Sequence, residues 1–251
     1  MTRTTRLAVG TLLSTILVVA ACGPNVPKLT DPAEILDAAA TNAEAATSVH
    51  LDASVEGTLT LGLLGGGPVD LSETTASADL DLESGDLAVT FSVPAILGLA
   101  GDVVVIGETA YYKTTLTGAD YQTATLSTPP GPLLDGVIGL LRTPDLGATL
   151  GEDEACAGGT CYAVSFDVSA DDLGAIGAAL PIPSDLPIPL PDLSEATVHV
   201  TVLVEQSTQR LAGIRAEVAG EGVGDLTVEV TFTKWDEPVT IEIPEGAAGT
   251  G

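Results

Sequence analysis

Apolar and polar residues alternate strictly over long stretches of this chain, which constrains the fold more than any other feature. In residues 50–61, Leu51, Ala53 and Val55 alternate with Asp52 and Ser54. A period of two predicts a strand with one buried and one wet face. The same pattern predicts strands at 75–83, 87–93, 103–106, 109–114, 121–126 and 161–168. It also predicts a C-terminal antiparallel meander of four strands, at 196–206, 209–218, 226–235 and 239–244.

Three segments have helical rather than strand periodicity. Asp31, Pro32 and Glu34 form a helix start, and the apolar face that follows predicts a helix to about residue 47. Residues 133–141 and 173–180 are apolar at helical spacing and are interrupted by glycine. The segment 181–193 holds five prolines, so it is excluded from a central strand.

These elements predict one α+β domain, mainly β, over residues 31–245, with no internal boundary. The sheet is expected to be a single curved antiparallel sheet. Its apolar face must be covered, and the three helical segments are the candidate covers. Residues 246–251 are predicted to be a disordered tail.

The N-terminus reads as a bacterial lipoprotein signal. Arg3 and Arg6 precede an apolar run at 7–19, and Val19-Ala20-Ala21-Cys22 has the form of a lipobox. A plain secretory signal or a transmembrane anchor is the alternative, but the run is shorter than the roughly 20 residues that span a bilayer. We therefore expect a signal peptide over 1–21, acylation of Cys22, a tether over 22–30, and a location on the extracytoplasmic face of the cell membrane.

Charge and motifs exclude several classes of function. The net charge of −27 argues against nucleic acid, because phosphate binding needs Lys and Arg. No nucleophile elbow, zinc-binding helix motif or phosphate loop is present, and His50 and His199 are predicted to face solvent. We expect no enzyme activity, no cofactor and no metal.

Cys156 and Cys161 are the pair that remains once Cys22 is assigned to the anchor. Glycines between them let the chain turn back tightly, and the compartment beyond the membrane is oxidising. A disulfide is favoured over a metal site, which needs further ligands nearby.

Aliphatic residues dominate the apolar content, whereas aromatic residues make up 3% of the chain. A curved sheet covered by Gly- and Ala-rich helices favours a dry cavity that accepts an aliphatic ligand. A filled core, as in an envelope scaffold or accessory binding module, is the open alternative. The candidate lining residues are Leu133, Val137, Ile138, Leu141, Leu173, Ile176 and Leu180 on the helical segments, and Val89, Phe91, Val200, Val202, Val228 and Val230 on the sheet.

Several segments, in this order, resemble the LppX/LprG-type bacterial lipoproteins. They are the lipobox, SVHLDAS at 48–54, GDVVVIGETAYYK at 101–113, a segment with Gly159, Cys161, Tyr162 and Val164, VHVTVLVEQSTQRL at 198–211 and FTKWDEPVTIEIP at 232–244. The resemblance implies a half-barrel sheet, similar to the LolA/LolB lipoprotein carriers, with helices on its concave face. It also implies a hydrophobic cavity that holds acylated glycolipids or triacylglycerol for transport across the envelope, with a membrane transporter as a possible partner.

Overall fold

The computed structural model describes residues 27–60, 67–126, 132–144, 146–168, 197–220 and 224–247, without the side chains of residues 132 and 133. Four of the predicted features lie outside these residues: the signal with Cys22, the helical segment 173–180, the proline-rich segment 181–193 and the end of the tail.

The described residues form two helices and one 13-stranded antiparallel sheet. The helices are α1, Pro32–Glu44, and α2, Pro132–Leu141. The strands are β1 Ser48–Thr60, β2 Pro68–Asp70, β3 Thr74–Asp81, β4 Leu87–Val93, β5 Leu99–Ile106, β6 Thr109–Thr114, β7 Gln122–Thr125, β8 Thr149–Leu150, β9 Glu154–Cys156, β10 Gly159–Val168, β11 Thr197–Glu205, β12 Leu211–Gly220 and β13 Gly224–Thr233.

Strand β1 joins two antiparallel meanders into one open sheet. The order is β7-β6-β5-β4-β3-β1-β13-β12-β11-β10-β8, with β2 paired to β1 and β9 paired to β10. The mainly β, single-sheet prediction is confirmed, and the architecture is consistent with a half-barrel.

Register places the apolar residues of successive strands on the same face. Val103 lies opposite Val89, Val89 opposite Ala78, and Ala78 opposite Leu51, which in turn lies opposite Phe232. Directly paired residues of an antiparallel sheet point to the same side. The alternation in the sequence therefore becomes a continuous apolar face.

Helix α1 covers one end of this face. Asp31 caps the helix by accepting from the backbone N–H of Ala33 at 2.8 Å, and Pro32 fits the first turn. The helix packs on β10, β11 and β12. Its buried stripe consists of Ile35, Leu36, Ala39, Ala40 and Ala43.

Helix α2 is tied to α1 by one arginine. The guanidinium of Arg142, just beyond α2, pairs with Asp37 at 3.3 Å and with Glu44, and donates to the hydroxyl of Thr41 at 3.1 Å. On α2 itself, Leu134, Ile138 and Leu141 are buried in the same core as α1. The helix predicted at 133–141 is thus confirmed.

The chain just before α1 is held against the sheet. The ammonium group of Lys28 lies 2.9 Å from the carboxylate of Asp153, and the backbone N–H of Leu29 donates to the hydroxyl of Tyr162 at 2.8 Å. Tyr162 is fully buried in β10. The described part of the predicted tether is therefore fixed to the β10 edge.

The fourth strand predicted in the C-terminal meander, at 239–244, is wrong. After β13 the chain turns away at Lys234 and Asp236, which both have positive φ. Strand β1, the neighbour of β13, is already paired with β3 on its other side, so no free strand edge is present there. Residues 237–244 are consequently irregular.

Gly57 and Gly224 let β1 and β13 approach closely, and this gives a first prediction. A Cβ on Gly57, whose φ is +110°, would lie 2.2 Å from the carbonyl oxygen of Asp225. Gly57→Ala should lower the free energy of unfolding by about 3 kcal/mol, since it adds a clash to backbone strain. Gly107→Ala is the control: φ is +59° but nothing lies within 4 Å, so about 1 kcal/mol is expected. Urea unfolding followed by Trp235 fluorescence measures both, and equal losses would contradict the close approach.

Asp236 gives a second prediction, about pH. The backbone N–H of Thr47 donates to its carboxylate at 2.9 Å and, with help from Arg210, holds the pKa of Asp236 below its ordinary value. This stabilisation is present above the ordinary pKa of 3.8 and is lost as pH falls through the lower folded-state pKa.

Asp236→Asn should therefore cost less than about 1 kcal/mol at neutral pH, because the pair is partly exposed. The difference from the unchanged protein should shrink as the pH falls below the ordinary pKa of a carboxyl group. Urea titrations at neutral and acid pH test this, and a difference that is independent of pH would count against the charge-based explanation.

Candidate functional site

The six lining residues predicted on the sheet all lie on the face that α1 packs against. Val200 and Val202, on β11, are 5% and 1% exposed. Val89 and Phe91 on β4, together with Val228 and Val230 on β13, are half-buried. The predicted set therefore divides into a buried part beside α1 and a more accessible part.

The accessible part continues on neighbouring strands. We define the half-exposed strip by its residues, which run across the sheet from β5 to β12: Val103, Val89, Val228, Val230, Ile214 and Ala216. Val103, Ile214 and Ala216 were not among the predicted lining residues, although the same alternation places them on this face. Periodicity alone would have found them.

The lining residues predicted on α2 show a similar division. Ile138 and Leu141 are 7% and 4% exposed, whereas Val137 is half-buried. The side chain of Leu133 lies outside the described part of the structure, as do Leu173, Ile176 and Leu180. Of the described residues predicted on a helix, Val137 therefore presents the most accessible side chain.

The chemistry of the apolar face is uniform. On the described strands β1, β3–β6 and β10–β13, no charged side chain lies on it, because all Asp, Glu, Lys, Arg and His residues that pair across these strands belong to the other face. Such a surface offers dispersion contacts and excludes water, but it has few hydrogen-bonding groups. It is suited to hydrocarbon rather than to a polar ligand.

The opposite face carries a groove of a different kind, with a volume of about 1010 Å³. Glu229 and Thr231 line it, whereas Val230 between them does not, so it opens on the hydrophilic side of the sheet. In it, the Lys113 ammonium lies 3.3 Å from Asp102, which raises the pKa of Lys113. Hydroxyl and charged groups share the lining of this groove with Ala53, Ala76 and Phe91, so its surface is mixed, unlike the apolar face.

The prediction that His50 faces solvent is wrong, because its side chain is only 15% exposed. Its Nδ1 lies 2.6 Å from Asp79 and its Nε2 lies 3.4 Å from the hydroxyl of Ser77. Cross-strand pairing explains the cluster, because His50 is opposite Asp79 and Asp52 is opposite Ser77. A serine, a histidine and an aspartate in contact are the residue types of a hydrolase triad, which also needs an oxyanion hole of free backbone N–H groups. Ser77 lies in the middle of β3, which is paired on both sides, so the backbone N–H groups near it are engaged in the sheet and do not form such a hole.

The predicted disulfide is present. Cys156 on β9 is bonded to Cys161 on β10, with Cα atoms 5.9 Å apart. The bond closes the hairpin that follows Asp153, the partner of Lys28. The disulfide therefore braces the edge of the sheet at which the tether is held.

Within the described ranges, neither helix has the length and hydrophobicity needed to cross a bilayer. The same part of the chain holds no group of three or more His, Cys, Asp or Glu side chains arranged to bind a metal ion.

Comparison with known proteins gives a likeness of fold. No protein-family profile matches the sequence, and no curated protein matches it either. Among solved structures, LprF from Mycobacterium bovis is similar with a TM-score of 0.56 at 19% identity, over 88% of this chain and 99% of that chain. The lipoprotein LppX from Mycobacterium tuberculosis is similar with a TM-score of 0.53 at 18% identity, over 85% of this chain and 100% of that chain.

These likenesses extend over nearly the whole length of both solved chains, and they agree with the order of segments that resembles this group in the sequence. The chain has the fold of the LppX/LprG-type lipoproteins.

Proposed function

We propose that this protein is a lipoprotein, anchored through Cys22 on the extracytoplasmic face of the cell membrane, that binds acylated lipids and carries them across the envelope. The ligand is of the glycolipid or triacylglycerol type. Its acyl chains lie on the half-exposed strip, and its headgroup stays at the edge of the sheet. The chemistry is physical transfer rather than catalysis.

The half-exposed strip is the observation that carries this proposal. Val230 and Val202 belong to the same apolar face, yet Val202 is 1% exposed and Val230 is half-buried. The strip residues Val89, Val230 and Ile214 pack against the core and keep part of their surface accessible. An acyl chain laid along the strip supplies the hydrocarbon contacts that β10 and β11 obtain from α1.

Energetics favour exchange rather than one-way capture. Each methylene removed from water contributes about 0.8 kcal/mol, so a palmitoyl-length chain amounts to roughly 12 kcal/mol. A protein site that encloses the chain in hydrocarbon would supply nearly the same free energy as the bilayer, because both surroundings are apolar. Small differences in fit between lipids then decide the direction of transfer.

The likeness of fold supports the proposal in two ways. LppX is itself described as a lipoprotein, which agrees with an anchor at Cys22. The LppX/LprG resemblance in the sequence also implies a lipid-holding cavity on the helix-covered face. The second relation concerns the face that bears the half-exposed strip.

A tryptophan on the strip gives the third prediction. Val230→Trp fills space against Ala53 and Ile214, its cross-strand neighbours, and should reduce bound lipid at least about tenfold. Thr231→Trp is the matched control, because it lies one residue further on the same strand and on the opposite face. Native mass spectrometry of residues 23–251, exported with a cleavable signal, followed by organic extraction, measures the lipid in each variant.

Equal lipid content in the two variants, with thermal unfolding showing both folded, would contradict the assignment of the strip. If the unchanged protein carries no lipid even after incubation with membrane lipid, the carrier function fails. A scaffold or accessory module with a filled core then replaces it.

The anchor gives the fourth prediction. Cys22→Ala should abolish incorporation of labelled palmitate and move the protein out of the detergent-rich phase in a phase-separation assay, because no acyl chain is attached. Cys156→Ala should keep both properties, since that cysteine belongs to the disulfide. Palmitate retained by Cys22→Ala would exclude Cys22 as the acylated residue.

A further inference from the structure

Two neighbouring turns at one end of the sheet expose large apolar side chains. Leu97, in the turn 94–98 between β4 and β5, is 83% exposed, and Leu116, in the turn that follows β6, is 62% exposed. Strand β5 begins at the first turn and β6 ends at the second, and the two strands pair with each other. The two leucines therefore belong to one hydrophobic tip, defined here as residues 94–98 and 115–118.

Hydrogen bonds hold the two turns together as a unit. The hydroxyl of Thr115 donates to the carbonyl oxygen of Gly98 at 3.1 Å and accepts from the backbone N–H of Ala100 at 3.2 Å. The backbone N–H of Thr115 donates to the carbonyl oxygen of Ala100 at 2.8 Å. The tip is thus a built feature of the sheet rather than two independent loops.

Neither core packing nor backbone preference explains a leucine at position 97. Its φ is +51°, in the left-handed region where Gly and Asn are the usual residues. Its side chain gains little burial in return, since 83% of its surface is exposed. Strain combined with exposure of this kind is typical of a contact site for another surface.

The distribution of charge indicates which kind of surface the tip contacts. The chain has a net charge of −27, yet residues 92–101 and 114–119 contain no Asp, Glu, Lys, Arg or His. Anionic headgroups repel an acidic protein, so close approach to a bilayer is least opposed where charge is missing. The tip also lacks the Trp, Tyr and Arg residues that anchor protein interfaces. A lipid bilayer is therefore the partner that fits.

The tip is continuous with the half-exposed strip. Val93 and Leu99 are paired directly beside the turn 94–98, and they lie on the same face as Val89. Both are half-buried. An apolar path therefore runs from Leu97 along β4 and β5 to the proposed lipid site.

We propose that the hydrophobic tip inserts into the bilayer surface and is the point at which an acyl chain passes between membrane and strip. Passage of an acyl chain at the tip rests on the lipid-carrying function proposed above, whereas contact between the tip and the bilayer does not. Passage at the tip keeps the chain in apolar surroundings, so it avoids the cost of crossing water.

The first experiment measures contact directly in the full acylated chain in phosphatidylcholine vesicles. Leu97→Cys is labelled with an environment-sensitive nitrobenzoxadiazole dye, and quenching by doxyl-labelled lipid is recorded. Ser84→Cys is the control, because Ser84 is exposed in the turn between β3 and β4, at the opposite end of β4 from the tip. Strong quenching at position 97 and little at 84 is expected, and equal quenching at both would overturn insertion of the tip.

The second experiment measures passage of lipid and is the fifth prediction. Leu97→Ser combined with Leu116→Ser should slow transfer of a fluorescent diacyl lipid between vesicles about tenfold, with the amount of lipid bound at equilibrium unchanged. Ile243→Ser is the matched control, since it removes a leucine-sized side chain that is 49% exposed and is not part of the tip. Unchanged transfer in the double variant would overturn the passage role even if quenching succeeds. If the unchanged protein binds lipid but the double variant transfers it at the same rate, the passage role fails and the carrier function does not.

Discussion

The need to cover one continuous apolar face governs this molecule. An open sheet cannot bury that face by closing on itself, so helices must lie on it. Helix α1 meets the need over β10, β11 and β12, where the valines of β11 are almost fully buried. Elsewhere burial changes along the strands: Val49, Leu80, Leu87 and Val105 are buried in one row across the sheet, whereas Val89 and Val103 in the next row are half-buried. The two zones are therefore divided along the strand direction, with the half-exposed strip toward the end of the sheet that bears the hydrophobic tip.

The position of α1 depends on polar contacts at its two ends. Before the helix, the backbone of Leu29 is bound by the hydroxyl of Tyr162. After it, the backbone of Thr47 is bound by the carboxylate of Asp236, while Asn42 donates to the carbonyl oxygen of Gln209 at 3.1 Å. The helix is therefore held between β10 at its start and β1 at its end.

The sequence predicts the strands well where alternation is long and poorly elsewhere. Strands β4 and β6 begin and end at the predicted residues, whereas β8 and β9, with two and three residues, are too short for a period to be visible. Alternation at 239–244 misleads, because a strand also needs a free edge to pair with. Likewise, periodicity assigns Val202 and Val230 to one face but cannot separate them, since their burial depends on where α1 lies. The exposed leucines of the tip carry no periodic signal at all.

The short distance between the proposed anchor and the first fixed residue has a mechanical consequence. Five residues separate Cys22 from Lys28, and the intervening chain spans at most about 20 Å when fully extended. Lys28 and Leu29 are held at the disulfide-braced edge of the sheet. The domain can therefore tilt and rotate about its attachment but cannot travel away from the membrane. Under the proposed carrier function, delivery to a distant acceptor would require either close apposition of the two layers or a second protein that collects the lipid.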